Sequence, residues 1–298
     1  MSMQSRKTFL QNMGLLGAGL ALAPINDLFG HTVNKPWFSI SLAQWSLHRT
    51  LFKGDLKNID FPAFAAKEFD IHAVEYVSRF FKDEVHNAAY LKDLNARAAE
   101  HDVKNVLIMV DGEGELGNAD AAKRKTAVEN HYQWIDAAKQ LGCHAIRVNA
   151  AGKGTPEEVG KRVEESLHTL ALYGETAGIS VVVENHGGIS SDGAWLSNVL
   201  KTVDHKYCGS LPDFGNFYEY DRYQGVTDLM PFAKGVSAKT NVFDAQGNEA
   251  NIDYARMMKI VRDAGYTGYV GIEYEGDKHS EIEGVKLTKK LLQRFQMA

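Results

Sequence analysis

The chain has 298 residues and a formal charge of -5; 44% of its residues are hydrophobic and 24% charged. That composition is ordinary for a globular protein long enough to bury a large core. The mild acidity argues against a nucleic-acid partner, which usually needs a basic face, and no Lys/Arg run suggests a polybasic membrane patch. Cys143 and Cys208 are the only cysteines. They make neither a disulfide framework nor a zinc-finger spacing and read as small buried apolar residues.

The N-terminus carries Ser5-Arg6-Lys7-Thr8-Phe9-Leu10 ahead of an apolar stretch at 13–25 rich in Gly, Ala and Leu. A charged head and a short apolar core are the pattern of a signal peptide, and the apolar part is too short for a comfortable membrane span. The head resembles a twin-arginine export signal with Lys7 in place of the second arginine, so that route and the general one both stay open. Residues 1–30 are expected to be this signal and residues 31–298 one folded domain. The implied destination is the bacterial periplasm or beyond, with no stable membrane span after the signal is removed.

From Trp37 onward short β-like runs alternate with longer helical patterns. The runs fall at 38–43, 72–77, 105–110, 144–149, 180–183, 207–211, 234–239 and 269–274. Between them, a helix after Asp60 has Pro62 in its first turn and Phe61, Phe64, Ala65 and Phe69 on one face. Further helices are expected at 87–101 and at 119–141, the second ended by Gly142. Thr155-Pro156-Glu157-Glu158 reads as an N-cap, a first-turn proline and acidic first-turn residues, opening a helix that ends at Gly178. Ser191-Asp192 begins another, through 203. The helix after the sixth run is poorly marked. The last two are expected at 253–264, closed by Gly265, and at 281–296. Such alternation predicts an α/β fold with a parallel sheet, and eight units in about 260 residues predict a (β/α)8 TIM barrel. A doubly wound open sheet fits less well, because no Gly-rich phosphate loop follows the first run.

In such a barrel the active site lies where the strands end. Three carboxylates stand at such ends: Glu184 after Val181-Val182-Val183, Asp213 after Gly209-Ser210-Leu211-Pro212, and Glu273 after Tyr269-Val270-Gly271-Ile272. Converging carboxylates repel one another unless a cation or a shared proton holds them together. Other polar or aromatic residues at strand ends are Gln44, Trp45, Glu75, Tyr76, Asp111, Arg147, Asn149, Asn185, His186, Asn216 and Lys239. Alternation puts Glu184 and His186 on one face, and Arg147 and Asn149 on another shared face. Carboxylate beside imidazole makes His186 a candidate ligand for a divalent metal such as Mn, Co, Mg or Zn. Arg147, Asn149, Asn216, Trp45 and Glu75 are candidate substrate contacts, with Trp45 and Tyr76 as rings on which a flat substrate face could stack.

The order of VVVENHGG, LPDFGN, VSAK and VGIEYEG resembles the sugar phosphate isomerase/epimerase family, whose barrels are similar to xylose isomerase. The resemblance covers nearly all of the chain after the signal. It implies a divalent metal held by a Glu after strand five, an Asp after strand six, a His at strand seven and a Glu after strand eight. Glu184, Asp213 and Glu273 match three of these positions, whereas Ser237 stands at the histidine's place and Asn216 where family members often have His. The resemblance further implies that Glu184 and Glu273 act as acid and base, that Asp213 serves as a ligand, and that Lys239 holds a negative oxygen or acts as an acid. The expected reaction is proton abstraction beside the carbonyl of a non-phosphorylated sugar or keto-sugar, leading to isomerisation or epimerisation. Elimination or hydration on a 3-keto-glycoside, or sugar binding without catalysis, are the alternatives. The expected partner is a small carbohydrate; the sequence allows a homo-oligomer without specifying one.

Overall fold

The computed structural model of the chain describes residues 35–297, and the expected export segment lies outside them. In chain order the elements are β1 (Ser39–Ala43), α1 (His48–Lys53), α2 (Phe61–Phe69), β2 (Ala73–Val77), α3 (Ala88–Glu100), β3 (Lys104–Met109), α4 (Ala121–Leu141) and β4 (Ala145–Asn149). They continue with α5 (Pro156–Ala177), β5 (Ser180–Glu184), α6 (Gly193–Val203), β6 (Cys208–Leu211), α7 (Arg222–Leu229), β7 (Val236–Thr240), α8 (Tyr254–Asp263), β8 (Tyr269–Tyr274) and α9 (Glu281–Gln296). The strands form one parallel sheet in the order β6-β5-β4-β3-β2-β1-β8-β7, curled into the expected barrel. Among the described residues no helix is long and apolar enough to cross a membrane.

Local chemistry sets most of the helix ends. Asn87, Asp120, Asp192, Asp221, Asp253 and Ser280 each accept a backbone N–H from the first turn of the helix that follows. Thr155 and Glu158 form a reciprocal capping box at the start of α5. Gly142 and Gly178 end α4 and α5 in the left-handed conformation that glycine adopts without strain.

Helix α1 is absent from the sequence reading, and its cap explains why. No local side chain caps it. Instead Glu281, at the start of α9, accepts from Arg49 N (2.7 Å), Thr50 N (3.0 Å) and Thr50 Oγ1 (2.6 Å). A cap supplied from more than two hundred residues away leaves no local signal.

Strand residues divide between two cores. Leu42, Val74, Tyr76, Ile108, Ile146, Val181 and Ile272 face outward and pack beneath the helices. Ala43, Val77, Leu107, Met109, Ala145, Val182 and Leu211 form a smaller apolar cluster inside the barrel. Both strand faces are thus buried, which is why the strands read as nearly continuous apolar runs. The division also corrects one expectation. Tyr76 is fully buried, packs on Phe61 and Phe81, and donates its hydroxyl to Asn105 Oδ1 at 2.6 Å. Its neighbour Glu75 faces inward, so alternation turns the Tyr76 ring away from any sugar.

The sheet closes between β6 and β7, where no regular ladder forms. Two isolated parallel bridges, Ser210 with Ala233 and Asp213 with Ser237, make the seam. Its backbone bonds run from Lys234 N to Ser210 O, from Ser237 N to Pro212 O and from Phe214 N to Ser237 O. Pro212 has no N–H to give, which thins this ladder at the end of β6.

Candidate active site

The C-terminal ends of β5 to β8 bring Glu184, Asp213 and Glu273 together. One oxygen from each carboxylate lies within 4.8 Å of the others, and all three residues are buried. Neighbouring strand ends enforce this approach. Asn185 fastens β5 to the end of β6 by accepting from Asp213 N (2.8 Å) and donating to Asp213 O (3.0 Å). The seam bridge puts Ser237 beside Asp213, and the β7–β8 register puts Lys239 beside Glu273.

Ser237 is more than a missing histidine. Its Oγ lies 2.7 Å from Asp213 Oδ2 and 2.6 Å from Glu273 Oε2. A hydroxyl has one proton and can donate to only one of the two at a time. The other short contact calls for a proton on a carboxyl or a cation between the oxygens.

Two cations belong to the site. Lys239 Nζ lies 3.3 Å from Glu273, 3.2 Å from Glu275 and 3.8 Å from Asp213. Burial disfavours its charge, but these carboxylates outweigh burial and raise its pKa well above normal. Arg147 Nη1 donates to Asp111 Oδ1 at 2.7 Å and to Asn149 Oδ1 at 3.2 Å, while its Nε lies 2.9 Å from Glu184 Oε2. That last contact is charge pairing without alignment, since neither Nε nor Oε2 has a hydrogen-bond partner.

The carboxyls differ in their environments. Burial pushes Glu184 up to about 7 against the pull of Arg147. Burial likewise pushes Asp213 up to about 7 against Lys239. For Glu273, burial acts in the same direction, but Lys239 and the Ser237 hydroxyl hold it below the usual range. Asp111 resists burial through Arg147 and is held down to about 2.

Glu75 forms a lower layer. Its Oε1 accepts from Ser41 Oγ at 2.5 Å, and its Oε2 is buried without a partner. Gly271 makes room for this carboxyl, because a Cβ there would come within 2.6 Å of Glu75 Oε1. Burial, with the nearby charges of Glu273 and Glu184, raises Glu75 to about 8. An unfolded Glu75 ionises near 4.5, so its contribution to stability is complete below that pH and is lost as pH rises toward 8. Glu75→Gln stays neutral throughout. In chelator it is expected to gain up to roughly 4 kcal/mol over wild type at pH 8 and little at pH 4.5. Urea denaturation at the two pH values checks this, and a difference independent of pH would mean that Glu75 is ionised in the fold.

The remaining candidates are spread around the mouth. Asn216 Nδ2 donates to Glu184 Oε1 at 3.1 Å, and Asn149 Nδ2 to Asp111 Oδ1 at 2.9 Å. Trp45 is half-buried and stacks on His48 at 4.9 Å, beside Phe80 at 6.2 Å. Gln44 is a fastener, donating to Asn58 and accepting from Val77 N. His186 is exposed and lies outside the carboxylate group. Two members were missed from sequence, Ser41 and Glu275. Alternation could have found Glu275, two residues beyond Glu273 on the same face.

The donor set fits a divalent cation. Ligand atoms around one ion lie within roughly twice the metal–oxygen distance, ~4–5 Å, which three carboxylate oxygens within 4.8 Å satisfy. The orphaned Glu184 Oε2 and the proton-poor contacts of Ser237 point the same way.

Comparison with known proteins agrees with the geometry. The family model described as xylose isomerase-like TIM barrel matches residues 63–296. Among solved structures, the IOLI protein with a bound zinc atom superposes with a TM-score of 0.69 at 14% identity, over 87% of this chain and 98% of that one. The probable 3-DHS dehydratase AsbF of Bacillus anthracis gives 0.67 at 17% identity, over 86% and 99%. The 3-keto-D-glucoside 4-epimerase YcjR of E. coli gives 0.64 at 14% identity, over 87% and 100%. Among curated proteins none matches. At these identities the likeness to solved structures is one of fold. The family match, however, runs from α2 to the end of α9, and the chain belongs to the xylose isomerase-like TIM barrels.

Proposed function

We propose that the protein is a divalent-metal-dependent sugar isomerase or epimerase that moves a proton next to the carbonyl of a non-phosphorylated keto-sugar. The observation that carries this reading is the convergence of Glu184, Asp213 and Glu273 at the strand ends. A bound cation would polarise the carbonyl and a neighbouring hydroxyl and so acidify the adjacent C–H. Glu184, Asp213 and Glu273, with the Ser237 hydroxyl, would hold it. All four donors are oxygens, which suits a hard ion such as Mg2+ or Mn2+ better than Zn2+.

Glu184 and Glu273 are the acid/base pair, and their environments set them apart as such groups require. Arg147 pairs its charge with Glu184 across the 2.9 Å contact and so favours the ionised carboxylate. Lys239, with its ammonium beside Glu273, steadies the negative oxygen that develops as the proton leaves. Asn216, Asn149 and Trp45 line the approach and are assigned to the sugar. Export through the N-terminal segment belongs to the same proposal and favours a free sugar over a sugar phosphate.

Elimination is the second reading, and Lys239 favours it. An ammonium 3.3 Å from a base carboxylate can also protonate a departing oxygen, which would make the protein a 3-keto-glycoside lyase. Solvent deuterium exchange over a panel of keto-sugars and 3-keto-glycosides tests both readings. The expected result is deuterium on the carbon next to the carbonyl, lost in chelator and restored by Mg2+ or Mn2+. Isomerisation and elimination then separate by product, and absence of exchange on every substrate would refute the enzyme reading.

A further inference from the structure

The loops after β5 and β6 border an open cavity of about 560 Å³ at the C-terminal ends of the strands. Gly188, Ser191, Asp192, Tyr218, Glu219 and Tyr220 line it. It adjoins the carboxylate cluster through one residue. Asn216 donates to Glu184 Oε1 at 3.1 Å, and its backbone oxygen accepts from Ser191 Oγ at 2.6 Å.

The two tyrosines of the wall differ. Tyr220 is held, donating to Asp228 Oδ2 at 2.7 Å and packing close to Gly193, where a Cβ would come within 3.1 Å of its ring. Tyr218 is 72% exposed and lines the cavity, so its ring is accessible to a ligand. It lies over a turn of two left-handed glycines, Gly187 (φ 91°) and Gly188 (φ 56°), and a Cβ on Gly187 would sit 3.9 Å from its edge. One edge of this ring therefore stands beside bare backbone, and most of the ring is open.

The charge of the lining narrows the ligand. Asp192 and Glu219 offer carboxylate acceptors, and no Lys or Arg lines the cavity. Phosphorylated or carboxylated ligands meet repulsion there, while a neutral polyhydroxylated ring offers donors to the carboxylates and an apolar C–H face to the tyrosine. We infer that this cavity is a second sugar subsite, built on Tyr218, which holds the non-reacting ring of a neutral glycoside whose other ring lies over Glu184 and Glu273. The inference rests on the sugar-enzyme reading and narrows its substrate class to glycosides of at least two rings.

Binding, read by isothermal titration calorimetry, tests the subsite independently of turnover. The probes are cellobiose, lactose, maltose and trehalose, set against glucose and galactose. Wild type is expected to bind at least one disaccharide tenfold or more tightly than either monosaccharide. Tyr218→Ala should abolish that advantage and leave monosaccharide affinity unchanged, while Tyr218→Trp, which keeps a flat ring, should retain it. The subsite is overturned if no disaccharide exceeds its components, or if Tyr218→Ala weakens both classes equally. Failure of the catalytic reading would appear separately, as absence of deuterium exchange on keto-monosaccharides and keto-glycosides alike.

Discussion

Glu184→Gln is expected to lower kcat by about 10²–10⁴-fold, the usual contribution of a positioned acid or base. Glutamine keeps the length of the side chain and an oxygen to accept from Asn216, whose amide lies 3.1 Å from Glu184 Oε1. It loses the proton-accepting oxygen and one negative charge of the cluster. Arg147 keeps its 2.7 Å pair with Asp111, so its charge is not stranded and the fold should persist. Glu273→Gln should lose activity over the same range, since Glu273 is the carboxylate that Lys239 and Ser237 hold ionised. The double variant should be little worse than either single one, because residues that act as a unit are not additive. Initial rates on whichever keto-sugar exchanges deuterium, with circular dichroism to confirm folding, decide the matter. Full turnover by either single variant would refute the two-carboxylate mechanism.

The second large effect concerns the cation. Ser237→His is expected to raise the ratio of Zn2+ to Mg2+ affinity by at least about tenfold, because it adds an imidazole to an all-oxygen donor set. A ratio is the right quantity, since raw affinity for any nitrogen or oxygen site already rises from Mn2+ toward Zn2+. Ser237→Ala should weaken all divalent ions, because two carboxylate oxygens lose the hydroxyl within 2.7 Å that joins them. The larger imidazole costs about 1–3 kcal/mol of packing strain in so buried a place, so melting temperatures should accompany the titrations. Competition calorimetry on metal-stripped protein gives the ratios directly. An unchanged ratio in Ser237→His would show that this position does not touch the ion.

Much of this was legible in the sequence, for a physical reason. A barrel repeats one rule, an apolar strand followed by a capped helix, and the carboxylates stand out because each directly follows an apolar run. Glu184, Asp213 and Glu273 needed only that pattern. Other features depended on partners that no local window contains. The neutral state expected of Glu75 requires Ser41 from β1 and the space left by Gly271 in β8. The pairing of Arg147 with Asp111 joins β4 to the loop after β3. Helix α7 was poorly marked because Gly225 interrupts its pattern, and the fold explains that glycine: a Cβ there would come within 2.2 Å of the Phe217 ring. His186, read as a ligand candidate from its spacing to Glu184, lies past the end of β5, where strand alternation no longer holds, and outside the carboxylate cluster.

The seam between β6 and β7 has a mechanical consequence. Seven of the eight strand interfaces are ladders, one of them with a register shift between Val74 and Glu75, whereas this one rests on two isolated bridges, and Asp213 and Ser237 form one of them. The cluster therefore straddles the joint at which the sheet can most easily part. An ion held by Asp213 on one side and Glu273 on the other would act as a rivet through that joint. At a hundredfold excess over its dissociation constant it would add about 2.7 kcal/mol against unfolding. Amide exchange at Phe214 and Ser237 would slow first, because their hydrogen bonds cross the gap. In this barrel, loading the site and closing the wall would be one event.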